Sequence, residues 1–103
     1  MTADASPTRR IILLGSTGSI GVNTLNVARH LAPAFDVVGL AAGSNVQLLI
    51  EQAKEFGVDH LAIADESTRP ALQHALPHAT IFTGSDATQQ LVQSVDADVL
   101  VGA

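Results

Sequence analysis

Short apolar runs alternate along this chain with longer segments in which hydrophobic residues recur every three or four positions. Such runs are typical of buried strands in a parallel sheet, and the periodic segments are typical of amphipathic helices. The pattern predicts strands over residues 9–14, 35–42, 60–64, 80–83 and 98–101, and the fourth is short enough for a sheet edge. It predicts helices over residues 19–31, 46–56, 69–76 and 87–95. Strands that alternate with helices indicate a doubly wound parallel α/β sheet with right-handed crossovers.

The spacing of apolar residues also predicts which side of the first two helices faces the core. The inward residues of the first helix are predicted to be Ile20, Thr24, Val27, Ala28 and Leu31. Those of the second helix are predicted to be Leu48, Leu49, Ala53 and Phe56. Pro33 is expected to end the first helix and Gly57 the second.

A glycine-rich turn, Gly15-Ser16-Thr17-Gly18-Ser19-Ile20-Gly21, joins the first strand to the first helix. Gly15 can leave the strand with backbone angles that a side chain would forbid. Gly18 lets the main chain approach a phosphate, and Gly21 lets the helix pack closely on the strand. The first helical turn offers unpaired N–H groups to an anion, and the hydroxyls of Ser16, Thr17 and Ser19 add further donors. This strand–turn–helix order predicts a Rossmann-like fold that binds a dinucleotide pyrophosphate; the alternative is a glycine-rich turn that binds nothing.

The end of the second strand bears on which dinucleotide is bound. NAD-specific sites place a carboxylate there to bond the ribose hydroxyls, about 20 residues beyond the glycine loop. This strand instead ends in Ala42-Gly43-Ser44-Asn45, which has no carboxylate. Gly43 leaves room for a 2′-phosphate, and Ser44 and Asn45 offer neutral donors, so NADP(H) is favoured although no Arg or Lys follows. The alternative is an ordinary turn in which Gly-Ser-Asn caps the second helix.

Composition restricts the class of protein further. The chain has 103 residues, enough for one domain or part of one, and is 47% hydrophobic but only 3% aromatic. Its formal net charge of −5 makes nucleic acid or an anionic membrane an unfavourable partner. The chain has no cysteine and no apolar run that could span a membrane, and residues 1–10 do not resemble a signal peptide, so we expect a cytoplasmic protein.

The ends of the sequence suggest how the domain is bounded. Residues 1–8 are expected to be a disordered tail, and residues 9–103 a dinucleotide-binding domain that is incomplete at its C-terminal end. The sequence stops at the carboxyl end of an apolar strand, where the next loop of such a fold normally contributes to the ligand site. We therefore expect a fragment of a larger enzyme.

No set of side chains in the sequence predicts chemistry on a substrate. His74 and His78 have a metal-ligand spacing, but Pro77 interrupts their shared helix face. His30 and His60 lie at element ends, where solvated or capping roles are expected. The paired acidic residues, Asp65 with Glu66 and Asp96 with Asp98, fall at turns and helix boundaries.

Several stretches together resemble the N-terminal part of one enzyme family. They are residues 10–21 with Asn23, Thr24 and Leu25, residues 35–46, residues 63–66, and the terminal Val101-Gly102-Ala103. The string Gly-Ser-Thr-Gly-Ser-Ile-Gly, joined to the later Ala-Ala-Gly-Ser-Asn, is similar to 1-deoxy-D-xylulose 5-phosphate reductoisomerase. Most of residues 10–103 shares this resemblance.

The resemblance implies an enzyme that uses NADPH and a divalent metal, Mg or Mn, in non-mevalonate isoprenoid biosynthesis. It would isomerise and reduce 1-deoxy-D-xylulose 5-phosphate to 2-C-methyl-D-erythritol 4-phosphate, as a full-length protein that acts on a small phosphosugar and forms a homodimer. The implied cofactor contacts come from Thr17, Gly18, Ser19 and Ile20, and from Gly43, Ser44 and Asn45 around the adenosine ribose and its phosphate. With Gly15 and Gly21, these are the candidate cofactor-binding residues.

Some members of that family have a basic residue where this chain has Ser44. Their metal ligands, substrate-phosphate ligands and mobile lid lie in later sequence, so this chain alone is expected to bind cofactor without turnover. Two alternatives remain open at this point. One is another NAD(P)-dependent oxidoreductase, of the semialdehyde dehydrogenase or dihydrodipicolinate reductase type, and the other is a nucleotide-binding module without catalysis.

Overall fold

The computed structural model describes residues 8–31 and 34–102, in which strands and helices alternate along the chain. The strands are β1 (Arg9–Leu14), β2 (Phe35–Ala42), β3 (His60–Ile63), β4 (Thr80–Thr83) and β5 (Val99–Gly102). The helices are α1 (Ser19–His30), α2 (Val46–Phe56), α3 (Arg69–Ala75) and α4 (Ala87–Ser94), with a 3₁₀ turn at Glu66–Thr68 before α3. The predicted elements are therefore confirmed, with ends that shift by one residue at most. The helix stop expected at Pro33 and residues 1–7 of the expected tail lie outside the described residues.

All five strands pair in parallel, in the order β4-β3-β2-β1-β5. The chain winds outward from β1 to β4, and α4 then carries it back to the far side of β1. The direction of winding therefore reverses between β1 and β5, which defines the switch point of a doubly wound sheet. The predicted fold class is confirmed, and β4 lies at a sheet edge as expected.

The sheet is covered on both faces. Along β1, Ile11 and Leu13 pack on the face that α1, α2 and α3 cover, and Ile12 packs on the opposite face with Leu91 of α4. This alternation follows from the two-residue repeat of a strand. The main cluster contains Ile11, Leu13, Leu25, Ala28, Val37, Leu40, Leu49, Ala53, Leu61, Ile63 and Leu72. The smaller cluster under α4 contains Ile12, Ala41, Ala62, Ala87 and Leu91.

The predicted inward face of α1 is wrong in most of its residues. The buried residues are Gly21, Leu25 and Ala28, whereas Ile20 and Val27 are 63% and 56% exposed. Leu31 is also exposed, and Thr24 is half-buried. The cause is the approach of α1 to the loop after β1: a Cβ at residue 21 would lie 2.2 Å from the Gly15 carbonyl oxygen. Because only glycine fits there, the stripe that begins at Gly21 faces the sheet.

The second helix follows its prediction more closely but includes an unexpected polar residue. Leu49 and Ala53 are buried as predicted, and Leu48 and Phe56 are half-buried. Gly57 ends the helix with φ of 66°, as expected for a left-handed C-cap. The third buried residue of α2 is Gln52, which is 6% exposed and was not predicted to face inward.

Candidate cofactor-binding site

The glycine-rich loop lies at the carboxyl end of β1, between the two neighbouring strands of the sheet. β1 pairs with β2 on one side and with β5 on the other, where Leu14 is opposite Gly102. In open α/β sheets, ligands bind at this edge and at the switch point in the winding. Gly102 is a neighbour of the site that sequence reasoning did not select. Its position at the end of a strand beside β1 depends on the strand order, which local sequence does not encode.

The two outer glycines shape the loop. Gly15 has φ of 76°, a left-handed conformation that favours glycine. The N–H groups of Gly15 and Ser16 both donate to the Ala41 carbonyl of β2, at 2.8 and 2.9 Å. Gly21 has no room for a side chain, as described above. These two glycines are therefore required by the fold itself.

The middle glycine is different, because nothing within the fold requires it. Gly18 is the N-cap of α1, with φ of −76° and ψ of 170°, angles that any residue adopts. A Cβ built there would have its nearest heavy-atom contact at 3.6 Å, with the Gly15 oxygen, which is ordinary van der Waals contact. Packing within the fold therefore leaves room for a small side chain at this position, unlike at Gly21.

The N-terminus of α1 presents unpaired donors at the loop. Gly18 supplies no side-chain cap, and the first turn holds no acidic residue. Within the described part of the chain, no hydrogen bond uses the N–H groups of Ser19, Ile20 or Gly21. Such groups carry the partial positive charge of the helix dipole and favour an anion. The side chain of Ser19 is exposed and that of Thr17 is half-buried, so both lie at the loop surface.

Ser16 does not have the role expected from its sequence position. Its side chain is fully buried, and Oγ has no hydrogen-bond partner in the described residues. The Ser16 hydroxyl is therefore not available to a phosphate, and that expectation is wrong. The Ser16 carbonyl instead accepts a hydrogen bond of 2.8 Å from Nε2 of the buried Gln52. The available signal for Gln52 was its position on the same stripe of α2 as Leu49 and Phe56.

The turn after β2 lies at the same edge of the sheet. Gly43 and Ser44 are exposed, and a Cβ built on Gly43 meets nothing within 4 Å. The Gly43 carbonyl accepts from the Asp65 N–H at 3.0 Å, which ties this turn to the segment after β3. Asn45 caps α2, because its Oδ1 accepts from the Leu48 N–H at 3.2 Å. The cap uses Oδ1 and leaves Nδ2 without a partner in the described residues.

No ionisable side chain lies within either turn, and Asp65, which contacts the Gly43 turn through its backbone, is the acidic residue beside it. Arg29 of α1 and Glu55 of α2 form a surface ion pair in which both pKa values are shifted. A hydrogen bond from Arg29 to Glu55 raises the pKa of the guanidinium and lowers that of the carboxyl. These groups lie outside the two turns.

The histidines make local contacts where the structure gives a partner. The Nδ1 atom of His30 lies 2.7 Å from the Asn26 carbonyl, and that of His60 lies 2.8 Å from Asp59 Oδ1. Across residues 8–31 and 34–102, no group of three or more His, Cys, Asp or Glu side chains is arranged to hold a metal ion. Over the same residues, no helix is both long and apolar enough to cross a bilayer.

The family model described as 1-deoxy-D-xylulose 5-phosphate reductoisomerase matches residues 11–103, nearly the whole chain. The chain belongs to this reductoisomerase family. The resemblance drawn from the glycine loop and the Ala-Ala-Gly-Ser-Asn segment is thereby confirmed. The other oxidoreductase types and the non-catalytic module are not favoured.

Named reductoisomerases give the extent of the match. The chain is 41% identical over 95 residues to the 1-deoxy-D-xylulose 5-phosphate reductoisomerase of Protochlamydia amoebophila, covering 92% of this chain and 25% of that protein. It is 43% identical over 101 residues to that of Rhodococcus jostii, covering 97% and 24%. The chain thus spans about a quarter of the length of the curated relatives it matches.

A solved reductoisomerase shares the fold. The enzyme of Zymomonas mobilis, determined in complex with NADPH, superposes with a TM-score of 0.83 and is 31% identical. The match covers 91% of this chain and 25% of that one. The Rossmann-like architecture therefore corresponds to one part of a larger reductoisomerase.

Proposed function

We propose that this chain is the NADPH-binding part of a 1-deoxy-D-xylulose 5-phosphate reductoisomerase. The complete enzyme would isomerise 1-deoxy-D-xylulose 5-phosphate and reduce it to 2-C-methyl-D-erythritol 4-phosphate. The observation that carries the proposal is the glycine loop, held at the switch point with the first turn of α1 uncapped. The Zymomonas mobilis relative, solved with NADPH, supports the choice of cofactor.

The residues present fit a dinucleotide phosphate group. The unpaired N–H groups at the start of α1 suit the pyrophosphate, and the hydroxyls of Thr17 and Ser19 lie at the same surface. Gly15 and Gly21 hold the loop in shape, Gly18 allows a close approach, and the exposed Ile20 offers an apolar contact. When bound, NADPH supplies the hydride; the residues of this chain bind and orient it.

The turn after β2 would hold the adenosine ribose and its 2′-phosphate. Open space at Gly43 accommodates the additional phosphate, and Ser44 and the Nδ2 group of Asn45 are neutral donors. No carboxylate follows β2 itself, and the Asp65 carboxylate after β3 accepts hydrogen bonds from the Ser67 N–H and hydroxyl. A carboxylate about 4 Å from the 2′-phosphate would repel each negative charge on that phosphate by roughly 4 kcal/mol at an effective dielectric of 20. Screening by water and salt would reduce this repulsion.

A negative charge introduced at Gly43 tests whether the turn after β2 holds the 2′-phosphate. In Gly43→Asp, we expect NADPH affinity to fall at least about tenfold and NADH affinity to be unchanged or higher, because the new carboxylate repels only the 2′-phosphate. Isothermal titration calorimetry with both cofactors measures the change. The built Cβ of Gly43 contacts nothing, so the fold should tolerate the side chain.

The matched control is Gly43→Asn, which has nearly the shape of aspartate without its charge. NADPH affinity in Gly43→Asn should stay within a few-fold of the parent. Equal losses in the two variants would mean that the side chain obstructs the site, and no loss in either would remove Gly43 from it.

The remaining parts of the reaction belong to the complete enzyme. The described residues do not fit the divalent metal that the family implies, because no group of three or more His, Cys, Asp or Glu side chains among them is arranged to hold an ion. We expect this chain to bind NADPH without oxidising it when the phosphosugar is added, measured as constant absorbance at 340 nm. A cytoplasmic, homodimeric enzyme without nucleic-acid or membrane partners is part of the proposal; the net charge of −5 supports the absence of nucleic-acid binding.

A further inference from the structure

Gln52 is a glutamine in the hydrophobic interface between α2 and the glycine loop. It is 6% exposed and lies on the stripe of α2 that also buries Leu49 and Ala53. Its Nε2 group crosses to the loop and donates a hydrogen bond of 2.8 Å to the Ser16 carbonyl. A side chain from another element therefore determines where one carbonyl of the cofactor loop points.

This arrangement carries a cost in stability. Gln52 Oε1 and Ser16 Oγ are both buried without a hydrogen-bond partner in the described residues. Buried polar atoms without partners are unfavourable, and an apolar side chain of similar length would remove one of them. The position is thus not optimised for packing alone, and the bond to Ser16 is what the glutamine contributes.

The bond fixes the direction of the next donor in the loop. The Ser16 N–H is held by the Ala41 carbonyl at 2.9 Å, and the Ser16 carbonyl is held by Gln52. In a planar trans peptide, the carbonyl and the following N–H point in opposite directions. With the Ser16 carbonyl directed inward to a buried amide, the Thr17 N–H points outward from the loop.

We propose that Gln52 is a positioning residue for the cofactor. Gln52 locks the Ser16–Thr17 peptide so that the Thr17 N–H faces the pyrophosphate. This inference rests on the proposed function, because it assigns a role at the same site. Gln52 itself would touch no phosphate and would act through the loop.

The first test replaces the amide with a thioether of similar length. In Gln52→Met, NADP⁺ affinity by calorimetry should fall roughly tenfold, the effect of one lost hydrogen bond on a binding group. The melting temperature should change by only a few degrees, because methionine fills the space. In the unliganded variant, the Thr17 amide should show a shifted or exchange-broadened NMR signal, because its peptide is no longer locked.

The matched control is Gln73→Met in α3. Gln73 also donates from Nε2 to backbone carbonyls, at 3.3 Å to Leu76 and 3.3 Å to Ala79, but it lies in another turn. Its replacement should lower stability without changing NADP⁺ affinity or the Thr17 signal. An equal loss of affinity in Gln73→Met would overturn the positioning role.

A second variant separates hydrogen bonding from packing. In Gln52→Glu, a carboxylate oxygen would face the Ser16 carbonyl and repel it, whereas a protonated carboxyl can donate to it. NADP⁺ affinity should therefore be low at pH 8 and recover as the pH falls toward 5. The parent and Gln52→Met provide the baseline over this range, because Glu51, Glu55 and Arg29 line the same groove.

The outcomes separate this inference from the proposed function. Failure of the parent to bind NADP⁺ would contradict the proposed function, while the Thr17 signal in Gln52→Met would still decide whether the glutamine locks the loop. Parent-like affinity and an unchanged Thr17 signal in Gln52→Met would overturn the inference.

Discussion

Gly18 and Gly21 are three residues apart in one loop, yet the fold constrains them differently. A Cβ at Gly21 would lie 2.2 Å from the Gly15 oxygen, and a Cβ at Gly18 would lie 3.6 Å from the same atom. One glycine is thus required by packing of the helix, and the other is free to serve a ligand. Glycines that look equivalent in sequence have separate physical roles.

This difference predicts opposite effects of two substitutions. Gly21→Ala should destabilise the protein by about 1–3 kcal/mol or more, because backbone atoms must move to admit the methyl group. Gly18→Val should lower the free energy of unfolding by about 1 kcal/mol, because valine is a poorer N-cap than glycine, and should abolish NADPH binding. Urea denaturation measures the first effect and calorimetry the second. Parent-like NADPH affinity in Gly18→Val would remove the loop from the site.

At the scale of elements, the contact between α1 and α2 includes an exposed ion pair. Arg29 hydrogen-bonds Glu55, and its guanidinium lies 5.4 Å from the centre of the Phe56 ring. The hydrogen bond from Arg29 lowers the pKa of Glu55 below its ordinary value of 4.5. A carboxyl whose pKa is lowered by folding stabilises the folded state at pH values above its ordinary pKa. This stabilisation is lost as the pH falls through the pKa that the carboxyl has in the folded state.

Glu55→Gln should therefore reduce stability slightly at pH 7, with a difference from the parent that disappears as the pH falls below about 4.5. High salt should also reduce the stability difference between Glu55→Gln and the parent, because both side chains of the ion pair are exposed. Thermal unfolding across pH measures the effect. Glu51→Gln is the control, since Glu51 pairs with the neutral Gln47 on the same helix. A difference that persists in acid would show that the ion pair is not its origin.

The strands and helices could be predicted from the sequence because each one is marked by residues within or next to it. Apolar runs mark the strands, and Gly57 ends α2 as predicted, while Asn45 caps α2 as in the alternative interpretation of the Gly-Ser-Asn turn. The inward face of α1 could not be predicted in this way, because Val27 and Leu31 fit an apolar stripe but lie exposed, around a surface depression that Val99 and Val101 of β5 also line. The burial of Ser16 and Gln52 was also missed, since hydropathy treats polar residues as exposed and their contact joins residues 36 positions apart.

At the scale of the whole molecule, the site depends on a long-range connection. The strand order β4-β3-β2-β1-β5 places Gly102 beside Leu14, although the two are far apart in sequence. Alternation of strands and helices predicted a doubly wound sheet but not which strand would flank β1. The candidate loops could therefore be identified from sequence, whereas their meeting at one edge required the folded structure.

The whole chain corresponds to one part of the proposed enzyme. It spans about a quarter of its relatives' length and matches one part of a solved reductoisomerase. Within the described residues, the two turns supply backbone donors, hydroxyls and open space, and no cluster is arranged for a metal. The proposed division of labour is that these residues hold the cofactor and the rest of the enzyme carries the substrate chemistry.

In the proposed function, these two turns bind NADPH and recognise its 2′-phosphate. The most direct measurement is isothermal titration calorimetry of the unmodified protein with NADPH and with NADH under identical conditions. We expect saturable binding of NADPH, at least about tenfold tighter than that of NADH, a difference of about 1.4 kcal/mol. Equal affinities for the two cofactors, or no binding of NADPH, would contradict it.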